Sequence, residues 1–361
     1  MLFVYFLYYN IYCNIYINLI NRKFNKIHEF TKEMVNLICL GIESTAHTFS
    51  IGIVNEKKVL AVKSSMYTNE KGGIIPADAA AHHRKVRDLL LAEALNELYL
   101  SMENIDVIAF SKGPGLAPCL LAGKEFSLGL AKKYSKPLVP VNHIAAHLEI
   151  GKFFTKAKDP VFVFTSGANT QIITHASSRY RIIGECLSIA IGNSLDKFGR
   201  AAGLGFPAGP KIEQLALKGK YIELPYVVKG MDVEFSGIVT AAIQKLKNNK
   251  LEDVCFSLQE TLFSMTAEIT ERALAHTQKK EALLIGGVAA NKRFAEMLSI
   301  MCKERGAKFY FCPVQYAGDN GVQIAILGLL QYKSSKIPSL KDIDINPNWR
   351  VDEVETSWIK E

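Results

Sequence analysis

Two well-separated stretches of this chain carry the same local pattern. Leu37 to Ile42 is apolar, Glu43-Ser44-Thr45-Ala46-His47-Thr48 is a small polar turn, and Phe49 to Val54 is apolar again. Val161 to Phe164, the turn Thr165-Ser166-Gly167-Ala168-Asn169-Thr170 and the returning Gln171 to Thr174 repeat it. Each reads as two strands around a Ser/Thr/Gly turn. One such turn would carry little meaning, but a duplicated unit points to a fold with two related lobes. Hydroxyls and backbone amides at these turns can hold phosphate oxygens, so the turns are expected to face a shared cleft.

The segments between and after the two hairpins read as an α/β alternation. Val59 to Tyr67 is a third strand, Gly72-Gly73 a loop and Pro76 to Tyr99 a long helix. Ile105 to Ser111 is a strand that ends in Lys112-Gly113-Pro114-Gly115 before a helix running to Tyr134, and Leu138 to Val141 is another strand. In the second half Arg181 to Glu185 is a strand, Ile189 to Leu204 helical, and Gly203 to Pro210 a rigid loop before a further helix. Leu251 to Thr277 is a long amphipathic helix, Ala282 to Ile285 a buried strand running into Gly286-Gly287-Val288-Ala289-Ala290-Asn291, and Lys308 to Phe311 a late strand. Gly318-Asp319-Asn320-Gly321 opens the last helix.

At 361 residues, 49% hydrophobic and 22% charged, the chain is an ordinary globular protein long enough for two domains. Its formal charge of +8 favours an acidic partner such as RNA or DNA. Arg22, Lys23, Lys26 and Lys32 against Glu29 and Glu33 contribute +2 of that charge, all within a front end unlike the remainder. Met1 to Ile20 is uncharged and long enough to cross a bilayer as a helix, but Asn10, Asn14 and Asn18 interrupt it and no small-residue cleavage site follows. The reading preferred here is that residues 1–33 are a spurious or non-conforming extension and the chain proper begins at Met34, a membrane anchor being the alternative. The seven cysteines form no CxxC pair, as expected of free thiols in a reducing cytoplasm.

Chemistry gathers at a few positions. His143 and His147 are four residues apart, on one face of a helix, where two imidazoles can share a metal ion. Two core histidines would show the same spacing. Asp319, at a glycine-bounded turn, would complete a two-His, one-carboxylate set with positions open for substrate, or would simply cap the helix that follows. Asp196 and Glu213 are acids that could bind ribose hydroxyls or lie on helix surfaces. Asn291, after a strand and two glycines, is placed to reach a base or ribose at a cleft mouth. His82 and His83 are adjacent and point in different directions, so with Arg84, Lys85 and Arg87 they read as a solvated basic face. A zincin-type peptidase needs a glutamate beside its first histidine, and here that position is Ile144. Gly-x-Ser-x-Gly, Walker and kinase patterns are missing as well.

Taken together these stretches resemble the TsaD/Kae family of the ASKHA (actin, sugar kinase, Hsp-type) superfamily. The matching text is Gly-Ile-Glu-Ser-Thr-Ala-His-Thr-Phe (41–49), Lys-Gly-Pro-Gly-Leu-Ala-Pro-Cys (112–119), Val-Asn-His-Ile-Ala-Ala-His-Leu-Glu (141–149) and Ser-Gly-Ala-Asn-Thr-Gln (166–171). It continues through Gly-Phe-Pro-Ala-Gly-Pro-Lys-Ile-Glu (205–213), Gly-Met-Asp-Val-Glu-Phe-Ser-Gly (230–237), Gly-Gly-Val-Ala-Ala-Asn (286–291) and Gly-Asp-Asn-Gly (318–321). Thr-Ala-His-Thr-Phe and Ser257-Leu258-Gln259-Glu260 resemble the archaeal and eukaryotic branch. The resemblance implies an α/β, actin-like ATPase (ASKHA) fold, with two duplicated lobes of mixed sheets flanked by helices and a central cleft. It implies a first lobe over 34–158, a second over 159–330, and a tail over 331–361 packing back on the first.

By the same resemblance the chain is a cytoplasmic tRNA-modifying acyltransferase, the catalytic subunit of a KEOPS complex. It would move the threonylcarbamoyl group of threonylcarbamoyl-AMP to N6 of the adenosine next to the anticodon in tRNAs reading codons that begin with A. His143, His147 and Asp319 would hold one divalent metal ion, iron or zinc. Phe164, Thr165, Ser166, Gly167 and Ala168 would cradle the acyl phosphate, and Asp196, Gly209, Glu213 and Asn291 the adenosine of a nucleotide, ATP or threonylcarbamoyl-AMP. Expected partners are tRNA and the kinase, dimerising and accessory KEOPS subunits, with no stable membrane partner.

Two positions depart from the family's pattern. Phe164 stands where archaeal relatives usually carry a tyrosine whose hydroxyl can join the metal shell, and Ala168 replaces a glycine and would resist a positive φ. Activity is expected to survive both. Rival readings are an ASKHA-type ATP-binding scaffold or ATPase, a metal-dependent peptidase, and a nucleic-acid-binding module without catalysis.

Overall fold

The structure is a computed structural model that describes residues 36–69, 73–335 and 337–359. The extension at 1–33, Cys13 and Gly72 lie outside these residues. The duplication read from two hairpins extends over two complete five-stranded units. In the first, β1 (Cys39–Glu43), β2 (Thr48–Val54) and β3 (Val59–Met66) form an antiparallel meander. Helix α1 (Pro76–Leu98) leads to β4 (Val107–Gly113), parallel to β1, and α2 (Ala117–Tyr134) leads to β5 (Leu138–Asn142), parallel to β4. The sheet order is β3-β2-β1-β4-β5, and α3 (His143–Phe154) follows.

The second unit repeats that plan with a longer crossover. Strands β6 (Val161–Thr165), β7 (Thr170–Ala176) and β8 (Arg179–Glu185) form the meander. The crossover carries α4 (Ile191–Ala201), α5 (Gly209–Ala216), the short pair β9 (Val228–Lys229) and β10 (Asp232–Val233), α6 (Ser236–Lys245) and α7 (Leu251–Thr277). Strand β11 (Glu281–Ile285) is parallel to β6, α8 (Lys292–Glu304) crosses over, and β12 (Lys308–Phe311) is parallel to β11. The order β12-β11-β6-β7-β8 is the first sheet's plan again. After a short α9 (Val314–Ala317), α10 (Gly321–Ser334) takes the place that α3 has in the first unit.

Helices α3 and α10 pack against each other at the centre of the molecule. Every residue of β1 and β2 is buried, because α10 covers one face of the first sheet while α1 and α2 approach the other. Backbone contact makes the α10 packing tight: a Cβ on Gly41 would stand 2.2 Å from Gly321 O, and one on Gly321 2.2 Å from Gly52 N. Helix α3 touches β4 and β5 on one side and β6 and β11 on the other, so its residues His143 to Gly151 are all buried between the sheets. One apolar cluster accordingly runs through both units, joining Val139 and Ile144 to Phe162, Leu283 and Ile324. Among the described residues no helix is long and apolar enough to cross a membrane.

Candidate metal centre and nucleotide cleft

The pseudo-equivalent helices α3 and α10 begin in the same way. Asn142 caps α3, its Oδ1 accepting from Ala145 N at 3.0 Å, and Asn320 caps α10, accepting from Gln323 N at 3.1 Å. Because Asn320 serves as the cap, the capping role considered for Asp319 falls away and its carboxylate is free. It turns to the other helix: Asp319 Oδ1 lies 3.1 Å from His147 Nε2 and 3.4 Å from His143 Nε2. The ligand atoms of all three residues lie within 4.8 Å of one another, with His147 buried and the Asp319 side chain 21% exposed. Ligands about 2.0–2.2 Å from a tetrahedral zinc ion stand roughly 3.3 Å apart, so the observed separations fit one ion. Two imidazoles and one carboxylate are donors that suit iron or zinc.

The sequence did not single out Glu43. It is fully buried at the end of β1, and its Oε2 accepts the Nδ1 proton of His143 at 2.9 Å. That bond turns His143 Nε2 toward Asp319, the arrangement by which an outer carboxylate orients a metal-binding histidine. The same carboxylate accepts from Thr45 N at 2.6 Å, and Thr45 Oγ1 stands 3.5 Å from His143 Nδ1. A charged residue placed inside an apolar strand, Leu-Gly-Ile-Glu, was the available signal. Burial opposes charge on His143, but Glu43 and then Asp319 more than offset it and raise the imidazole to about 10. Burial lowers His147. Burial would raise Asp319, yet His143 and His147 hold its carboxyl well below the usual carboxylate range.

Phe164 links this cluster to the polar turn of the second unit. Fully buried at the end of β6, it puts its ring centroid 5.1 Å from that of His147. A phenylalanine there gives the cluster an apolar wall. Thr165 is buried, Ser166 Oγ accepts from Asn169 N at 3.0 Å, and Gly167 and Ala168 are exposed at the tip. The first turn of α4 braces this loop: Gly192 N donates to Ser166 O at 3.2 Å and Asn193 N to Gly167 O at 3.1 Å. A Cβ on Gly192 would stand 2.6 Å from Ser166 O, so that glycine sets the approach. Ala168 is not among the residues with positive φ, so the strain expected of its methyl does not arise.

Of the four nucleotide candidates, Asp196, Glu213 and Asn291 accept from main-chain nitrogens and Gly209 opens α5. Asp196 on α4 accepts from Ala208 N at 2.8 Å, immediately before Gly209 opens α5. Burial raises the Asp196 carboxyl. Glu213 on α5 accepts from Lys292 N at 2.8 Å, next to Asn291. Asn291 caps α8 by accepting from Phe294 N and donates to Gln259 Oε1 at 3.0 Å. Asp196 and Glu213 are therefore joints between elements and not free surface charges. Gly286, at φ +96°, presses on Thr165, since a Cβ there would stand 2.2 Å from Thr165 O. That contact brings the β11 turn beside the β6 turn.

One sequence reading is corrected. His83 is not part of a solvated basic face: it is fully buried, and its Nε2 donates to Ala46 O at 3.0 Å. Burial pulls its imidazole down to about 4. Its neighbour His82 bonds Ser65 Oγ at 3.0 Å, which leaves Arg84 and Lys85 as the exposed basic side chains, Arg87 being half-buried over the Phe126 ring.

Comparison with known proteins adds the family. The family model described as "TsaD: tRNA N6-adenosine threonylcarbamoyltransferase" matches residues 58–326. A Thermococcus kodakarensis protein named tRNA N6-adenosine threonylcarbamoyltransferase is 51% identical over 325 residues, 89% of this chain and 100% of its own length. A Methanosarcina mazei protein named "Probable bifunctional tRNA threonylcarbamoyladenosine biosynthesis protein" is 52% identical over 91% of this chain, which spans 61% of that relative. Among solved structures, HypF of T. kodakarensis superposes with a TM-score of 0.58 at 16% identity, over 82% of this chain and 48% of its own. A further structure of HypF in a phosphate- and nucleotide-bound form gives 0.59 at 11% identity, over 84% and 56%. At such identities the likeness speaks for the fold alone, the actin-like ATPase architecture. The matched span and the 51% identity along a whole relative place this chain in the TsaD family of tRNA N6-adenosine threonylcarbamoyltransferases.

Proposed function

We propose that this chain transfers the threonylcarbamoyl group from threonylcarbamoyl-AMP to N6 of the adenosine next to the anticodon, in tRNAs reading ANN codons. The N6 amine attacks the carbamoyl carbon, the bond from that carbon to the AMP phosphate oxygen breaks, and N6 loses a proton as AMP departs. The observation that supports this most is the meeting of His143, His147 and Asp319 beside the β6 turn. It occurs in a chain 51% identical to a full-length relative named for that transfer. His143 Nε2, His147 Nε2 and Asp319 Oδ1 would hold one divalent ion, iron or zinc, which supplies Lewis-acid polarisation and charge neutralisation when bound.

The protein's own residues do the positioning. Glu43 fixes the His143 ring, and Phe164 keeps that side of the cluster apolar. Gly167 and Ala168, braced by α4, present a compact turn for the phosphate. The N-termini of α3 and α10 both open at the cluster and favour the negative charge that grows on the leaving group. Asp196, Gly209, Glu213 and Asn291 line the adenosine side. Adenine N6 is a weak nucleophile, so holding it against the bound intermediate contributes much of the rate. A single-stranded anticodon loop lets that base be splayed out without melting a duplex. The kinase, dimerising and accessory subunits of a KEOPS complex are the expected partners, in the cytoplasm. Nucleoside analysis of tRNA incubated with threonylcarbamoyl-AMP, this protein and those partners should show threonylcarbamoyladenosine. A metal-loaded preparation that yields none would overturn the transferase reading.

A further inference from the structure

Helix α3 carries two of the three proposed ligands and is gripped near both ends by residues of the C-terminal segment. After α10 the chain returns to the first unit, where Asn346 N donates to Lys112 O at 2.8 Å and Gly115 N to Pro347 O at 3.1 Å. Trp349 O then accepts from Asn142 Nδ2 at 3.1 Å, so the cap of α3 is itself held by the tail. From there the chain crosses to the second sheet. Val351 and Val354 are buried, Thr356 N donates to Ser178 O at 3.2 Å, and Thr356 Oγ1 bonds His175 Nε2 at 2.8 Å. Finally Trp358 Nε1 donates to Glu149 Oε1 at 2.9 Å, on the far half of α3.

Glu149 is only 4% exposed, and its Oε1 also accepts from the Tyr180 hydroxyl on β8 and from Lys152 Nζ. A buried carboxylate deprived of a donor is costly, so this knot resists any slide or turn of the helix. Both tryptophans of the chain lie in this tail, one at each grip.

We infer that the C-terminal segment is a strap that sets the axial position of α3, with Trp358 a positioning residue for the metal centre acting through Glu149. A shift of α3 along or about its axis moves His143 and His147 together against Asp319, which α10 holds. Ligand geometry tolerates only about half an ångström of such error.

The inference rests on the metal reading above, and cobalt(II) probes it without turnover. In full-length protein, Trp358→Phe keeps an aromatic ring and removes the indole donor. It should raise the cobalt dissociation constant about threefold to tenfold, less than loss of a direct outer-shell partner. It should also shift the visible ligand-field bands of bound cobalt, and lower kcat more than it changes KM for threonylcarbamoyl-AMP. Trp349→Phe should leave all of these unchanged, because Trp349 grips through its backbone carbonyl. Glu149→Gln, which keeps volume and an acceptor oxygen, should shift affinity and bands less but in the same direction. Trp358→Phe and Glu149→Gln proteins that bind cobalt with the parent's affinity and spectrum would remove the strap while leaving the metal site standing. A parent that binds no cobalt would remove the site itself.

Discussion

Glu43 matters because an imidazole joined to its helix by two rotatable bonds has no fixed direction of its own. The hydrogen bond from His143 Nδ1 at 2.9 Å supplies one. Glu43→Gln should weaken metal binding by roughly 10- to 100-fold, read by competition with a chromophoric chelator. Unchanged affinity would mean that the ring is held by packing alone. His83 makes a different prediction, about stability. Its folded pKa of about 4 lies below the ordinary 6.5, so the unfolded chain binds the proton first. Its contribution is complete above pH 6.5 and declines as pH falls from there through about 4. His83→Gln should flatten the dependence of the urea midpoint on pH in that window, and an unaltered slope would speak against it. The site was legible where side-chain type and spacing carry meaning, as with His143 and His147. It was illegible where meaning comes from burial, as with Glu43 and His83, because neither neighbour is near in sequence.

Caps and strand ends decide how the elements aim their side chains. Asn320 is both the cap of α10 and a clamp on the preceding loop, its Nδ2 donating to Gly318 O at 2.7 Å and to Tyr316 O at 3.2 Å. Asn320→Ala should cost about 1–2 kcal/mol of stability, the upper end of a lost cap. Because Asp319 is the next residue, metal affinity should fall as well; a stability loss with normal affinity would show that the loop holds its shape unaided. In sequence Asp319 could as well have been the cap of the helix that follows, and only the way the chain enters α10 gives that role to Asn320. The strands and long helices were readable from their periods, Leu251–Thr277 to the residue, because apolar repeats of two and 3.6 are strong patterns. Strands β9 and β10 and helix α6 were not read. They are short, or held by hydrogen bonds to distant partners, and leave no period.

The molecule is two copies of one five-stranded unit, and the cluster lies where the last helices of the two copies meet. Asn142 and His143 open one, Asp319 and Asn320 open the other, and neither copy alone could bring three ligand atoms together. Two hairpins sufficed to announce the duplication in the sequence, whereas the seating of α10 on the first sheet depends on glycine contacts such as Gly41 with Gly321 that no local pattern reveals. These two helix starts are proposed to hold one metal ion. Elemental analysis of purified protein, after loading with zinc or iron and desalting, measures that directly. The parent should retain close to one ion per chain, and Asp319→Ala should retain far less while keeping its fold by circular dichroism. Equal metal content in the two proteins would contradict the claim.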